Sequence, residues 1–122
     1  MKKLFISAIA LLAFSSASFA SDYDFMTKLN NEKTFKGLSR YINADYDQRN
    51  ALKYIFNETE KKKDAVEKQI ADGKATSKDL EKVLYFNLAN VKAVLSDKQY
   101  RDYLVVLNMT QNNKAAALLT EK

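Results

Sequence analysis

The chain predicts an all-α fold: a small antiparallel bundle or hairpin array of three to four helices after a cleaved signal peptide. Three observations carry this. The 122 residues include two glycines and no proline, too few turn-formers for the many tight connections of a sandwich or barrel. Apolar residues recur at spacings of three and four along most of the chain, the period of one helical face. Two tetrads, Asp45-Tyr46-Asp47-Gln48 and Ser96-Asp97-Lys98-Gln99, have the form of a capping box that starts a helix.

The N-terminus is read first because it is expected to leave the mature protein. Met1, Lys2 and Lys3 form a basic n-region, Leu4 to Phe14 an apolar run, and Ser18-Phe19-Ala20 a small-x-small cleavage site. Residues 1–20 are therefore expected to be a signal peptide, and residues 21–122 a single helical domain with a flexible N-terminal arm and a C-terminal tail. The apolar run falls short of the about 20 residues that span a bilayer, and the sequence has no cysteine to carry a lipid. No membrane anchor is expected after cleavage, which directs the protein to the periplasm or outside the cell. Loss of the two leader lysines takes the net charge from +5 to +3, with both signs interspersed. A nucleic-acid binder concentrates positive charge on one face, so no nucleic-acid partner is expected.

Ser21 to Asn31 reads as a loosely held, partly helical arm anchored by Tyr23 and Phe25. Thr34 is the candidate N-cap of a first helix whose apolar face is Phe35, Leu38, Tyr41 and Ile42. Gly37 weakens that helix by about 1 kcal/mol relative to alanine. Asp45 caps the second helix, which is expected to run to about Ala71 with Leu52, Ile55, Phe56, Val66 and Ile70 on one stripe and Asp72-Gly73 as its stop. Its middle, Asn57 to Asp64, contains no apolar residue, so this stretch either projects past the shorter helices or faces a groove left open for a partner. Glu58 to Lys62 and Asp64 to Lys68 stand at the i,i+4 spacing of favourable ion pairs.

Thr76 or Ser77 opens the third helix, where Leu80, Val83, Leu84, Leu88, Val91, Val94 and Leu95 make the richest apolar face in the chain. Asn87 lies within or beside that face. A rim position bonded to water is expected for it, a buried amide that fixes register being the alternative. Ser96 opens the fourth helix, with Asp97 in its first turn, where a negative charge suits the helix dipole, and with Tyr100, Tyr103, Leu104 and Leu107 inward. Asn112-Asn113 is the expected end, and Lys114 to Lys122 are expected to fray, with Ala115 to Leu119 able to extend the helix.

Histidine and cysteine are both absent, which removes the common nucleophile–base pairs and zinc ligand sets. The acidic residues alternate with lysine on helix surfaces and are expected to be solvated. Asp45-x-Asp47 does not continue as a calcium loop, because Asn50 stands where glycine is needed and Phe56 where the bidentate glutamate is needed. The expectation is a protein that is not an enzyme, with no catalytic, cofactor-binding or metal residues and no cofactor. Asp45, Gln48, Ser96 and Gln99 are its structural corners. Lys61, Lys62 and Lys63 are a candidate surface for an acidic or unfolded partner, against the simpler reading of a solvated helix face. The tyrosines at 41, 46, 85, 100 and 103 are expected at the core edge, an aromatic binding patch being the alternative.

The two corners resemble the LTxxQ motif of the Spy/CpxP-like periplasmic chaperone family. Leu95-Ser96-Asp97-Lys98-Gln99 follows it with Ser for Thr, whereas Ile42-Asn43-Ala44-Asp45-Tyr46-Asp47-Gln48 has Ala44 for leucine and Asp45 for threonine. That resemblance implies a curved helical homodimer that shields unfolded clients or modulates an envelope stress sensor. Tyr23-Asp24-Phe25, Leu38-Ser39-Arg40-Tyr41, Leu95 to Tyr100, and Tyr103-Leu104 through Leu107-Asn108 with Thr110 are similar to small exported helical proteins of unknown function from Gram-negative gut anaerobes. This second likeness implies fold and location. The function expected is a non-enzymatic periplasmic binding or chaperone-like protein, with a secreted structural or interaction protein acting on an extracellular partner as the alternative.

Overall fold

The computed structural model describes residues 23–111 together with Leu119. Five helices follow one another: α1 (Phe25–Lys28), α2 (Glu32–Tyr41), α3 (Tyr46–Ala71), α4 (Ser77–Val94) and α5 (Asp97–Gln111), with no strand among the described residues. The expected signal peptide, the Asn112-Asn113 stop and all of the tail except Leu119 lie outside the described residues. No described helix is long and apolar enough to cross a membrane.

α3 and α4 form the main hairpin; α5 lies against α2 and α4, and α1 bridges α3 and α5. The 26 residues of α3 make it roughly 39 Å long at about 1.5 Å per residue. Leu38, Leu52, Leu80, Leu84, Val91, Tyr103, Val106 and Leu107 are all but fully buried where the elements meet. The Phe56 ring sits between two others, stacked on Tyr103 at 6.1 Å and edge-on to Phe35 at 5.7 Å, the offset and T-shaped geometries that aromatic quadrupoles favour.

Helix ends follow local chemistry. α2 and α3 both stop in a Schellman turn, with a left-handed residue and paired 6→1 and 5→2 backbone bonds. Asn43 (φ 58°) holds that position after α2, with Ala44 N–H donating to Ser39 and Asn43 N–H to Arg40. Gly73 (φ 75°) holds it after α3, with Lys74 N–H donating to Gln69 and Gly73 N–H to Ile70. The Asp72-Gly73 stop thus stands as expected. Thr76 opens α4, its N–H donating to Asp79 Oδ2 and its hydroxyl accepting from Lys78 N–H.

Four expectations change. Asn31, not Thr34, caps α2: its Oδ1 accepts from Thr34 N–H at 3.1 Å, which makes Thr34 the third helical residue. The N-terminal stretch is not a loose arm, because Tyr23, Phe25, Met26 and Leu29 are core residues and Phe25 to Lys28 is one turn of helix. The tail is tied down at one point: Leu119 is helical and 6% exposed, and its carbonyl lies 2.6 Å from where a Cβ on Gly37 would stand. Gly37 therefore serves a close backbone approach rather than only weakening α2. Asn87, finally, is 1% exposed rather than at a rim.

The reason for that burial is a polar chain through the core. Tyr103 O–H donates to Asn87 Oδ1 at 2.6 Å, Asn87 Nδ2 donates to Thr59 Oγ1 at 3.1 Å, and Thr59 O–H donates to the Ile55 carbonyl at 2.8 Å. The chain joins α5, α4 and α3 at one level. Buried polar groups are tolerated when bonded, and this set admits one vertical register of the three helices.

Candidate functional site

Each corner is a capping box as the sequence predicts. At the first, Gln48 N–H donates to Asp45 Oδ1 at 2.8 Å while Asp45 N–H donates to Gln48 Oε1 at 3.0 Å. At the second, Gln99 N–H donates to Ser96 Oγ at 3.1 Å and Ser96 N–H to Gln99 Oε1 at 2.9 Å. The boxes are also bonded to each other. Gln48 Nε2 donates to Gln99 Oε1 at 2.9 Å and Gln99 Nε2 returns to Gln48 Oε1 at 3.1 Å. Gln48 Nε2 further reaches the Val94 carbonyl (3.2 Å), and Gln99 Nε2 reaches those of Ile42 (3.1 Å) and Asn43 (3.3 Å). Each glutamine thus serves its own helix start and the chain end entering the other corner, and both amides are fully used. Asp45, Gln48, Ser96 and Gln99 are brought into one cluster whose chemistry is structural.

The lysine run is not one surface. Lys61 is exposed and lies 3.6 Å from Glu58. Lys62 is exposed on another side, its ammonium 4.7 Å from the centre of the Phe86 ring. Lys63 is 5% exposed and bonds Asp24 at 3.0 Å and Glu67 at 2.6 Å, so it leaves the candidate partner surface. Burial alone would lower its pKa, but the hydrogen bonds and charges of Glu67 and Asp24 outweigh that and hold the ammonium above its usual 10.5.

Lys63 belongs to a clip that answers the apolar gap in α3. Asn30 Nδ2 donates to Asn57 Oδ1 at 3.0 Å and to Glu60 Oε1 at 2.7 Å, beside the Asp24–Lys63 pair. The chain's own residues 24–30 therefore cover one side of the polar middle of α3, and Asn87 covers Thr59. Of that stretch, Lys62 alone lines the groove that opens further along α3.

A groove does open one turn further along. It encloses about 380 Å³ between the C-terminal half of α3 and the start of α4, with Val66, Val83 and Phe86 as apolar lining and Lys62, Lys82, Gln69 and Asp79 among its polar residues. The sequence reading missed Lys82 and Phe86. Their signal was the pairing of two amphipathic helices whose apolar stripes run past the point where both are covered.

The tyrosines divide. Tyr100 and Tyr103 are buried, and burial pushes both phenols up, that of Tyr103 even though its bond to Asn87 acts in the other direction. Tyr46, Tyr54 and Tyr85 are exposed, and Tyr41 is barely so. They do not assemble into one patch with the buried pair. Compared with protein-family models, with curated proteins and with solved structures, the chain has no significant match.

Proposed function

We propose that the protein is exported and acts without catalysis, as a chaperone-like helical protein that holds an extended polypeptide segment in the groove between α3 and α4. One observation carries this reading: half-buried Val66 and Phe86, over the buried Val83, line the groove beside exposed Lys62 and Lys82, which suits apolar side chains flanked by acidic ones. The basic and apolar leader at residues 1–20 supports export, and the likeness of the corners to the LTxxQ motif supports a role on unfolded clients.

The test is aggregation of a reduced acidic client protein at substoichiometric amounts of wild type and of the Lys62→Glu/Lys82→Glu double variant. Both lysines are exposed, so the melting temperature is expected to stay unchanged while suppression is lost, most clearly at low salt. Equal suppression by the variant would overturn the groove assignment. Fractionation of the native host separates the two destinations: periplasm is expected, and accumulation in the medium would favour a secreted protein acting on an extracellular partner.

A further inference from the structure

A second groove, of about 510 Å³, lies on the other side of the first corner, between α2 and the start of α3. Lys36 and Arg40 line it from α2, Arg49 and Lys53 from α3, and Glu32 is the one carboxylate among the lining residues. Three features set it apart from a solvated helix face. Lys36/Arg40 and Arg49/Lys53 are each like-charge i,i+4 pairs, a spacing that works against a helix, and here two such pairs line one groove. None of the four cations has a carboxylate within ion-pair distance among the described residues. Ser39, also in the lining, is 7% exposed, and its hydroxyl has no hydrogen-bond partner among the described residues, in a fold that satisfies nearly every other buried polar atom.

Two of the cations are also held in place. Arg49 Nη1 donates to the Ala44 carbonyl at 3.0 Å and its guanidinium lies 6.0 Å from the centre of the Tyr46 ring. Lys53 Nζ lies 4.9 Å from the centre of the Phe35 ring, near enough for a cation–π attraction. Anchored cations lose less freedom on meeting a ligand.

We propose that this groove is a binding site for a phosphoryl group carrying two or more negative charges, gripped by Lys36, Arg40, Arg49 and Lys53 with Ser39 as a hydroxyl donor. Guanidinium forks match tetrahedral oxyanions in shape, and lysines add compact charge. Two or three negative charges balance four cations against Glu32, and the ligand relieves both like-charge pairs at once. The site is separate from the groove proposed for polypeptide and stands or falls independently of it.

The test is calorimetric titration of the purified protein with inorganic pyrophosphate, alongside sedimentation with vesicles of phosphatidic acid, whose phosphomonoester can carry two charges, in phosphatidylcholine. Lys36→Gln/Arg40→Gln removes two exposed cations and is expected to weaken binding by about tenfold or more. Ser39→Ala is expected to weaken it by several-fold, and Lys61→Gln/Lys62→Gln, equal in charge removed, to leave it unchanged. Binding of pyrophosphate but not vesicles assigns the site to a soluble phosphate. Vesicle binding with the same dependence on Lys36, Arg40 and Ser39 assigns it to a lipid headgroup. No binding to either probe, or equal weakening by the Lys61/Lys62 variant, overturns the proposal.

Discussion

Gln48 and Gln99, 51 residues apart, donate to each other, and each also bonds the chain that enters the other's helix. A capping box satisfies backbone donors at one helix start. Here two boxes share their side chains, so the start of α3 and the start of α5 are fixed by the same four hydrogen-bonded groups. This joins the entry to the main hairpin to its return helix.

Ser96→Ala is expected to lower stability by about 0.5 to 2 kcal/mol, the usual cost of removing a helix cap. Ser96→Asp is expected to restore most of it, since Asp45 serves the same position at the other corner. Urea unfolding of the three proteins decides this, and a wild-type midpoint for Ser96→Ala contradicts the capping role.

Tyr103→Phe is expected to cost about 1 to 3 kcal/mol, because it leaves the buried Asn87 carbonyl without its donor. Thr59→Val, Asn87→Leu and Tyr103→Phe together are expected to recover much of that loss, since no buried polar group is then unpaired. Denaturant midpoints measure both, and a triple variant no better than the single one contradicts the network account.

The three lysines of the run are expected to behave differently. Lys61→Gln should change stability by no more than about 0.5 kcal/mol, as surface substitutions do. Lys63→Gln should cost about 1 to 2 kcal/mol, less than a fully buried pair because Asp24 and Glu67 are partly solvated. A triple glutamine variant would therefore not be neutral to the fold, and thermal melts of the single variants show which lysine is responsible.

Alkaline pH supplies a linked check. Lys63 and Tyr103 both have folded-state pKa values raised above their ordinary 10.5 and 10.0. The stability each contributes is full below the ordinary value and is lost as pH rises through the folded one. Urea stability is thus expected to decline above pH 10.0, less steeply in Tyr103→Phe and in Lys63→Gln. Parallel decline in wild type and both variants contradicts this.

Gly37→Ala gives opposite results in two chains. In the intact protein the added Cβ meets the Leu119 carbonyl at 2.6 Å, and stability falls. In a chain ending at Gln111 that contact is gone, and the helix preference of alanine over glycine is expected to raise stability by about 0.5 to 1 kcal/mol. A stabilising Gly37→Ala in the intact protein would place Leu119 elsewhere.

The helices, their stripes and both capping boxes were legible because they are local: Asp45 with Gln48, Ser96 with Gln99, and Asp72-Gly73 are decided within four residues. What escaped was long-range. That Gln48 and Gln99 would meet depends on how two corners pack, which no local pattern states. Thr59 and Lys63 continue the spacing of Leu52, Ile55 and Phe56 onto the buried face, so the period was present, but their polarity suggested solvent. Their partners, Asn87 and Asp24, stand 28 and 39 residues away. Asn31 lacks the capping-box signal, since Thr34 and not Glu or Gln stands three residues on, although asparagine caps as well as aspartate. The phosphoryl groove was hidden for a similar reason, since its cations come from two helices on either side of a turn.

The most direct test of the organising role of the corners is a double-mutant cycle on Gln48→Ala and Gln99→Ala, measured by urea unfolding. If the two amides act as one hydrogen-bonded unit, the losses do not add, and a coupling of about 1 to 2 kcal/mol is expected, within the range for residues in one network. Losses that add to within about 0.5 kcal/mol, as for distant independent sites, would show two separate capping boxes and contradict the account.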